Sequence, residues 1–440
     1  METRDVATGN AVQDAMRILG RLPEPNSPEA CIDRLQLMEQ VTRMLAGDKA
    51  VTTSRFVDYR DTDEAALRIP TSERLTGIDA EVGFARGESP YVGAALTHTA
   101  TALTTVLPNT LAALTEGRVS EYHTRVVAQE TLHLSDAHRR EIDAAIAHRL
   151  GTASTAQLRR LIQGHAYRLD REAAEARAEE NKRRRRVCSD PAGDGLAYVT
   201  AELPAHQAAA VMDTLKQLTT QRLTHDKPVD DHGQPMTRDQ VMTDLFVELL
   251  TGQTTADGVR AEVIVVMHDT TFLGDDDLPA WLLGEGPLPA GMIKDWLANP
   301  QAAKFFRRLY TRPTDGQLVA MDSRARRFPD SLAKMLKIRD DTCATPWCNG
   351  PVQEADHRHP WANGGKTHWA NATGLCRRCN QRKENRGWSY TGTPDELTVT
   401  TPTGHSYTVE TRPPLAELKH WNSDPPPRLI LENPGYRIAA

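Results

Sequence analysis

The chain has 440 residues, 39% of them hydrophobic, 5% aromatic and 25% charged, with a formal net charge of −6. That length suits two or three domains at roughly 150 residues each, the balance is that of a soluble globular protein, and the net charge excludes a blanket polycation, so any nucleic-acid surface must be local. No apolar run approaches the roughly 20 residues of a membrane span, and METRDVATGNAVQ lacks a basic segment leading into an apolar one, so neither membrane contact nor a signal peptide is expected and a cytoplasmic location follows.

Residues 1–186 read as a helical region. Leu96, Leu103, Val106, Leu107, Leu111 and Leu114 recur at helical spacing. Pro108 separates two helices, Gly117 caps the second, and Ser120 suits the N-cap of EYHTRVVAQETL. Residues 154–186 read as one long helix with Leu158, Leu161, Ile162 and Leu169 on its apolar face, running out into the basic end Lys182 to Arg186. A solvated helix end explains that run better than a phosphate site.

From 187 to 325 the pattern becomes α+β. GLAYVTAEL alternates as a strand, AHQAAAVMDTLKQL and RDQVMTDLFVELL are amphipathic helices, and EVIVVM is a buried strand. KFFRRLY and QLVAMD flank PTDG as a hairpin, and DKPVDDHGQP is a surface loop. Residues 326–390 form a cysteine-bearing module, and 391–440 hold a second hairpin, LTVTTPTGHSYTVE, and a Pro-rich tail expected to be poorly ordered.

Four of the six cysteines fall in that module: Cys343 and Cys348 as C-x4-C, Cys376 and Cys379 as C-x2-C, with 27 residues between the pairs. Two close pairs supply the tetrahedron that Zn2+ prefers. A thioredoxin-like redox role for the second pair leaves the first unexplained. Four thiolates saturate zinc, so this ion would be structural and take no part in chemistry.

Between the pairs runs EADHRHPWANGG. VQEADHRH reads as a strand, the double glycine as a reversal, and LCRRCNQRKEN as a short helix. Cys376 and Asn380 share a face of that helix, so Asn380 can point back toward the strand. Asp356 offers a carboxylate oxygen and Asn380 an amide oxygen to a divalent cation. His357, adjacent on an extended strand, should point away from Asp356. A free imidazole titrates near pH ~6.5, which suits a general base for water. A cation on one side and a base on the other is a layout for phosphodiester hydrolysis.

DHRHPWANGGKTHWANATGLCRRCN resembles the HNH endonuclease motif, the ββα-metal or His-Me finger, over roughly residues 340–388. The resemblance implies Mg2+ or Mn2+ on Asp356 and Asn380, His357 as general base, Asn371 holding the loop that bears the base, and cleaved DNA with 5′-phosphate and 3′-hydroxyl ends. Asn380 stands where the family often has a final His, which leaves the metal preference open. EGRVSEYHTRVV, VTAELPAHQAAAVMDTL, EVIVVM and LLGEGPLPAGM resemble domain of unknown function 222, which accompanies many bacterial HNH proteins.

Arg378, Arg382 and Arg386 recur every four residues and form, with Arg377 and Lys383, an expected basic stripe for phosphate contact. From Met321 to Tyr390 there are 13 Lys and Arg against 7 Asp and Glu. One HNH centre cuts one strand, so a double-strand break would need a homodimer or two binding events. A non-catalytic zinc module that only binds nucleic acid would need the cysteines and arginines but not Asp356 beside His357. An assembly protein with a vestigial nuclease also stays open.

Overall fold

A computed structural model describes residues 6–193, 195–230, 232–253, 265–267, 271, 278–298, 327–411, 429–432 and 435–438. The chain divides into two compact units that are each discontinuous: Met1–Leu75 with Ala95–Ala174, and Thr76–Ala94 with Glu175–Ala440. It is mixed α+β, with helices dominating the N-terminal part. Among the described residues, no helix is long and apolar enough to cross a membrane.

Nine helices run through the first 183 residues among those described: α1 (Val6–Leu19), α2 (Pro28–Ala66), α3 (Ile78–Ala85), α4 (Pro90–Thr105), α5 (Pro108–Thr115), α6 (Glu121–Thr131), α7 (Asp136–Ile146), α8 (Thr155–Leu169) and α9 (Arg171–Arg183). Their starts follow the sequence. Ser27, Ser120, Ser135 and Ser154 each accept a backbone N–H of the following turn, satisfying donors that the helix itself leaves open. Pro108 opens α5, where no N–H is needed. Leu103, Leu107, Leu114, Val127, Ile142, Ile146, Leu158 and Ile162 meet in the core of the first unit. Each such side chain stabilises the fold by about 1.5–3 kcal/mol when fully buried. Asp143 is fully buried there and accepts from the Asn109 and Thr110 N–H groups at 2.7 and 3.0 Å, placing a satisfied carboxylate at the start of α5.

The single helix expected over 154–186 is two helices. Asp170 breaks it with φ −151° and ψ 83°, because its side chain accepts the Ala173 N–H at 2.8 Å and so starts α9 as a cap. The basic run is laced to acids: Lys182 to Glu179, Arg183 and Arg184 to Glu180, and Arg186 to Glu202. It is a solvated helix end.

The second unit continues with the hairpin β1 (Arg186–Gly193) and β2 (Leu196–Glu202), then α10 (Ala205–His225) and α11 (Arg238–Thr251), which pack through Leu215, Val241 and Leu245. A small antiparallel sheet follows, β3 (Val265–Val266), β4 (Ala280–Leu282) and β5 (Gly286–Leu288), then α12 (Ala290–Ala298). Of the strand EVIVVM only its last three residues are described, and the hairpin read at 304–322 lies outside the described residues. Helix α13 (Asp330–Asp340) leads into the hairpin β6 (Glu354–His357) and β7 (Ala372–Leu375), and then α14 (Arg377–Lys383). The later hairpin gains a third strand: β8 (Ser389–Thr393) joins β9 (Glu396–Thr400) and β10 (Ser406–Glu410) in the order β10-β9-β8. In the Pro-rich tail, the described residues pair as β11 (Leu429–Glu432) and β12 (Gly435–Ile438).

Helix α3 packs into the C-terminal module of this unit, although more than 250 residues separate them along the chain. Phe84 is 2% exposed and lies 5.8 Å from the Trp347 ring, 6.1 Å from Trp388 and 5.3 Å from Tyr407. Glu81 accepts from the Thr403 hydroxyl at 2.7 Å. Phe84→Ala should therefore destabilise this unit by about 3–5 kcal/mol. In urea unfolding followed by tryptophan emission, the midpoint should drop. An unchanged midpoint would mean that α3 contributes no core to the module.

Candidate functional site

The four cysteines meet. Cys343 donates its N–H to Gly350 at 2.8 Å and Cys348 donates to Thr345 at 3.0 Å, closing a tight loop that turns both thiols inward. Cys376 is the N-cap of α14, and its sulfur accepts the Cys379 N–H. The four sulfurs lie within 4.8 Å of one another, with Cys348 3.9 Å from Cys376 and 3.7 Å from Cys379. A tetrahedral ion with sulfurs at ~2.3 Å needs edges of ~3.8 Å, so the quartet fits a metal ion. Hydrogen bonding to Cys343 holds the Cys376 and Cys348 thiols below the ordinary thiol range. The same sharing, led by Cys348 for Cys343 and by Cys343 for Cys379, pushes those two thiols up. Four thiols this close cannot all ionise without a cation between them.

Strands β6 and β7 pair antiparallel with Asp356 opposite Thr373 and His357 opposite Ala372. Buried Arg339 of α13 donates to the Ala372 carbonyl at 2.9 Å, and Asp340 accepts the Gly374 N–H at 2.6 Å, so α13 braces β7. Helix α14 lies against β6. Asn380 donates its amide NH2 to Glu354 Oε2 at 2.5 Å. Its carbonyl oxygen, Oδ1, is buried with no hydrogen-bond partner among the described residues. Lys383 donates to Asp356 Oδ2 at 2.5 Å and to the His357 carbonyl. Glu354 and Asp356 are two apart on one strand and share the face that α14 covers.

Asn371 ties the loop after β6. Its Oδ1 accepts the His359 N–H at 2.8 Å, and its NH2 donates to the His359 and Lys366 carbonyls at 3.0 Å each. The double glycine is explained here. Gly364 adopts φ +90°, and a Cβ on Gly365 would lie 1.8 Å from the His359 carbonyl oxygen. His359 supports the loop from within, its Nε2 lying 2.9 Å from the Asn363 carbonyl oxygen.

His357 differs from its sequence reading. Its ring does not turn away from Asp356: Nδ1 lies 3.9 Å from Asp356 Oδ1. The strand ends at His357, and Asn371 draws the following residues back, so strict alternation stops there. The imidazole is buried, with the Phe328 ring at 4.6 Å and Trp361 at 5.8 Å, and Nε2 is 2.8 Å from Thr367 Oγ1. Trp361 is partly exposed and lies over this ring.

The basic stripe is not continuous. Helix α14 ends at Lys383, so Arg386 stands beyond it, exposed. Arg382 is buried and pairs with Asp79 of α3 at 3.0 Å, while Arg378 meets the same carboxylate at 2.8 Å. Lys383 is buried on Asp356. Among the described residues, Arg377, 3.5 Å from Glu354, and Arg386 are exposed and have no ion pair to α3. Arg358 is buried too, which pushes its guanidinium down to about 10.

Glu354, Thr367, Phe328 and Asp79 were absent from the sequence reading. Glu354 carried a signal, the i, i+2 parity with Asp356. Asp79 carried none, since it lies 299 residues from Arg378.

The model of Domain of unknown function (DUF222) matches residues 38–340, and that of HNH endonuclease matches residues 343–386. "Uncharacterized protein Rv3776" of Mycobacterium tuberculosis (strain ATCC 25618 / H37Rv) is 27% identical over 353 residues, 69% of this chain and 64% of that protein. "Uncharacterized protein Rv2100" of the same strain is 37% identical over 82 residues, 18% of this chain and 15% of that protein. The chain thus spans less than two thirds of the length of either relative. No solved structure matches.

The sulfur quartet makes one prediction. Purified full-length protein should carry one tightly held transition-metal ion per chain by plasma mass spectrometry, and Cys376→Ser with Cys379→Ser should remove it. Metal-free wild-type protein that remains folded would contradict the reading.

Proposed function

We propose that this chain, which belongs to the DUF222 family and carries an HNH endonuclease domain, is a metal-dependent endonuclease that hydrolyses phosphodiester bonds in DNA. The HNH domain makes the function nuclease-like in general, with nucleic acid as the substrate class. The observation that carries the finer reading is the buried, partnerless Oδ1 of Asn380, on a helix that covers the Asp356 face of β6. A buried amide oxygen with no donor is costly unless something fills it. A hard divalent cation fits that chemistry.

Asp356 and Asn380 would hold Mg2+ or Mn2+, with Zn2+ in the thiolate quartet as the structural ion. A bound divalent cation supplies polarisation of the scissile phosphate and charge stabilisation of the leaving oxygen. Lys383 holds Asp356 Oδ2, so Oδ1 is the carboxylate oxygen left for a cation. That oxygen is also the one nearest His357 Nδ1. With a proton on Nε2 directed at Thr367 Oγ1, Nδ1 is the ring nitrogen that would take a proton from water. Asn371 keeps the loop, and with it the base, in place. Because Trp361 covers the ring, the Trp361 side of the loop must move when a DNA strand and its attacking water enter. Catalytic hydrogen bonds commonly tighten only with substrate bound. The products would carry 5′-phosphate and 3′-hydroxyl ends, and one centre would nick one strand.

A second reading has specific support. Lys383 already neutralises Asp356, and His357 is buried, which suits a zinc-stabilised module that binds nucleic acid without cutting it. Plasmid nicking separates the two. With Mg2+ or Mn2+, the wild-type chain should nick supercoiled DNA and His357→Ala should lose about 10²–10⁴-fold in rate. Equal cleavage by both would remove His357 from the mechanism. Binding without cleavage at any metal would establish the second reading.

A further inference from the structure

We infer that Glu354 is a positioning residue that sets which end of the Asn380 amide faces the cation; the inference rests on the proposed Asp356–Asn380 metal site. An amide side chain has two chemically opposite ends, and only its oxygen can ligate a hard cation. Nothing in the covalent structure of Asn380 chooses between them. The choice is made by what the other end meets. An ionised carboxylate has only acceptors, so Glu354 Oε2, 2.5 Å from Asn380 Nδ2, admits the NH2 end and repels the oxygen. The oxygen is thereby turned away from Glu354, where it is buried and has no partner among the described residues.

Glu354 is itself held. It sits in β6 opposite Leu375, and Arg377 Nε lies 3.5 Å from its other oxygen, Oε1. The Arg377 N–H is in turn donated to Gln353 at 3.1 Å, so the first residue of α14 is tied to the strand that carries Glu354. Strand and helix therefore fix the carboxylate before any ion arrives. This is the logic by which outer groups orient the groups that touch a metal, and removing such a partner commonly costs 10–100-fold in metal affinity. The same carboxylate would serve a histidine in place of Asn380, accepting from one ring N–H while the other nitrogen faces the cation.

The test is Mn2+ binding to the full-length chain with its thiolate-bound ion in place, read by electron paramagnetic resonance without DNA. Wild-type protein should bind Mn2+ at the site, and Asp356→Asn should abolish that binding. Glu354→Gln, which offers the amide a donor as well as an acceptor, should weaken binding about 10–100-fold with the thiolate-bound metal content and thermal midpoint unchanged. Asn380→His should retain Mn2+ binding, and adding Glu354→Gln to it should again weaken binding. If Glu354→Gln binds Mn2+ like wild type while Asp356→Asn does not bind, Glu354 has no orienting role and the metal site stands. A fall in thermal midpoint with unchanged Mn2+ affinity would show a structural role only and would equally overturn the inference. If wild type binds no Mn2+, or Asp356→Asn binds it equally well, the metal site itself is wrong.

Discussion

Helix α14 is seven residues long, and the candidate site depends on what holds it in place. Isolated helices shorter than about 12–15 residues are marginal in water, so α14 borrows its order from outside. Its first turn is fixed by Cys376 and Cys379 in the sulfur quartet. Its flank is fixed by Asp79, which takes both Arg378 and Arg382. Between those anchors sits Asn380. With the helix free to tilt, neither Asn380 nor Lys383 would meet β6 where it does.

The second anchor changes how the DUF222 region relates to the HNH domain. Asp79 and Phe84 lie within the DUF222 match, yet Phe84 shares a core cluster with Cys343 and Cys379, and Asp79 pairs with Arg378 and Arg382, all residues of the HNH match. Arg382 is buried, and a buried guanidinium without its carboxylate is strongly disfavoured. The finger thus has a buried charge that a carboxylate from far upstream balances. Part of what the DUF222 sequence encodes is structural support for the HNH module.

Much of this was legible in the sequence because it is local. Serine caps, Pro108 at a helix start, the period of the leucines and the spacing of four cysteines all act within a few residues, and the HNH motif is itself a local pattern. Long-range chemistry was not legible. Arg382 and Lys383 read as part of a basic stripe because their partners, Asp79 and Asp356, are brought by tertiary packing. The helix break at Asp170 had a local cause, an Asp able to cap, but periodicity on both sides hid it. The orientation of His357 failed for a different reason: alternation was carried through to the terminal pair of a four-residue strand, where Asn371 already draws the chain back.

The central claim is that Asp356 and the Asn380 carbonyl oxygen share one divalent cation. Crystals of the full-length protein grown with Mn2+ and measured at the manganese edge test it most directly. An anomalous peak should lie within coordination distance of an Asp356 carboxylate oxygen and Asn380 Oδ1. Manganese bound elsewhere, with the Asn380 oxygen still unpartnered and Lys383 alone on Asp356, would contradict it.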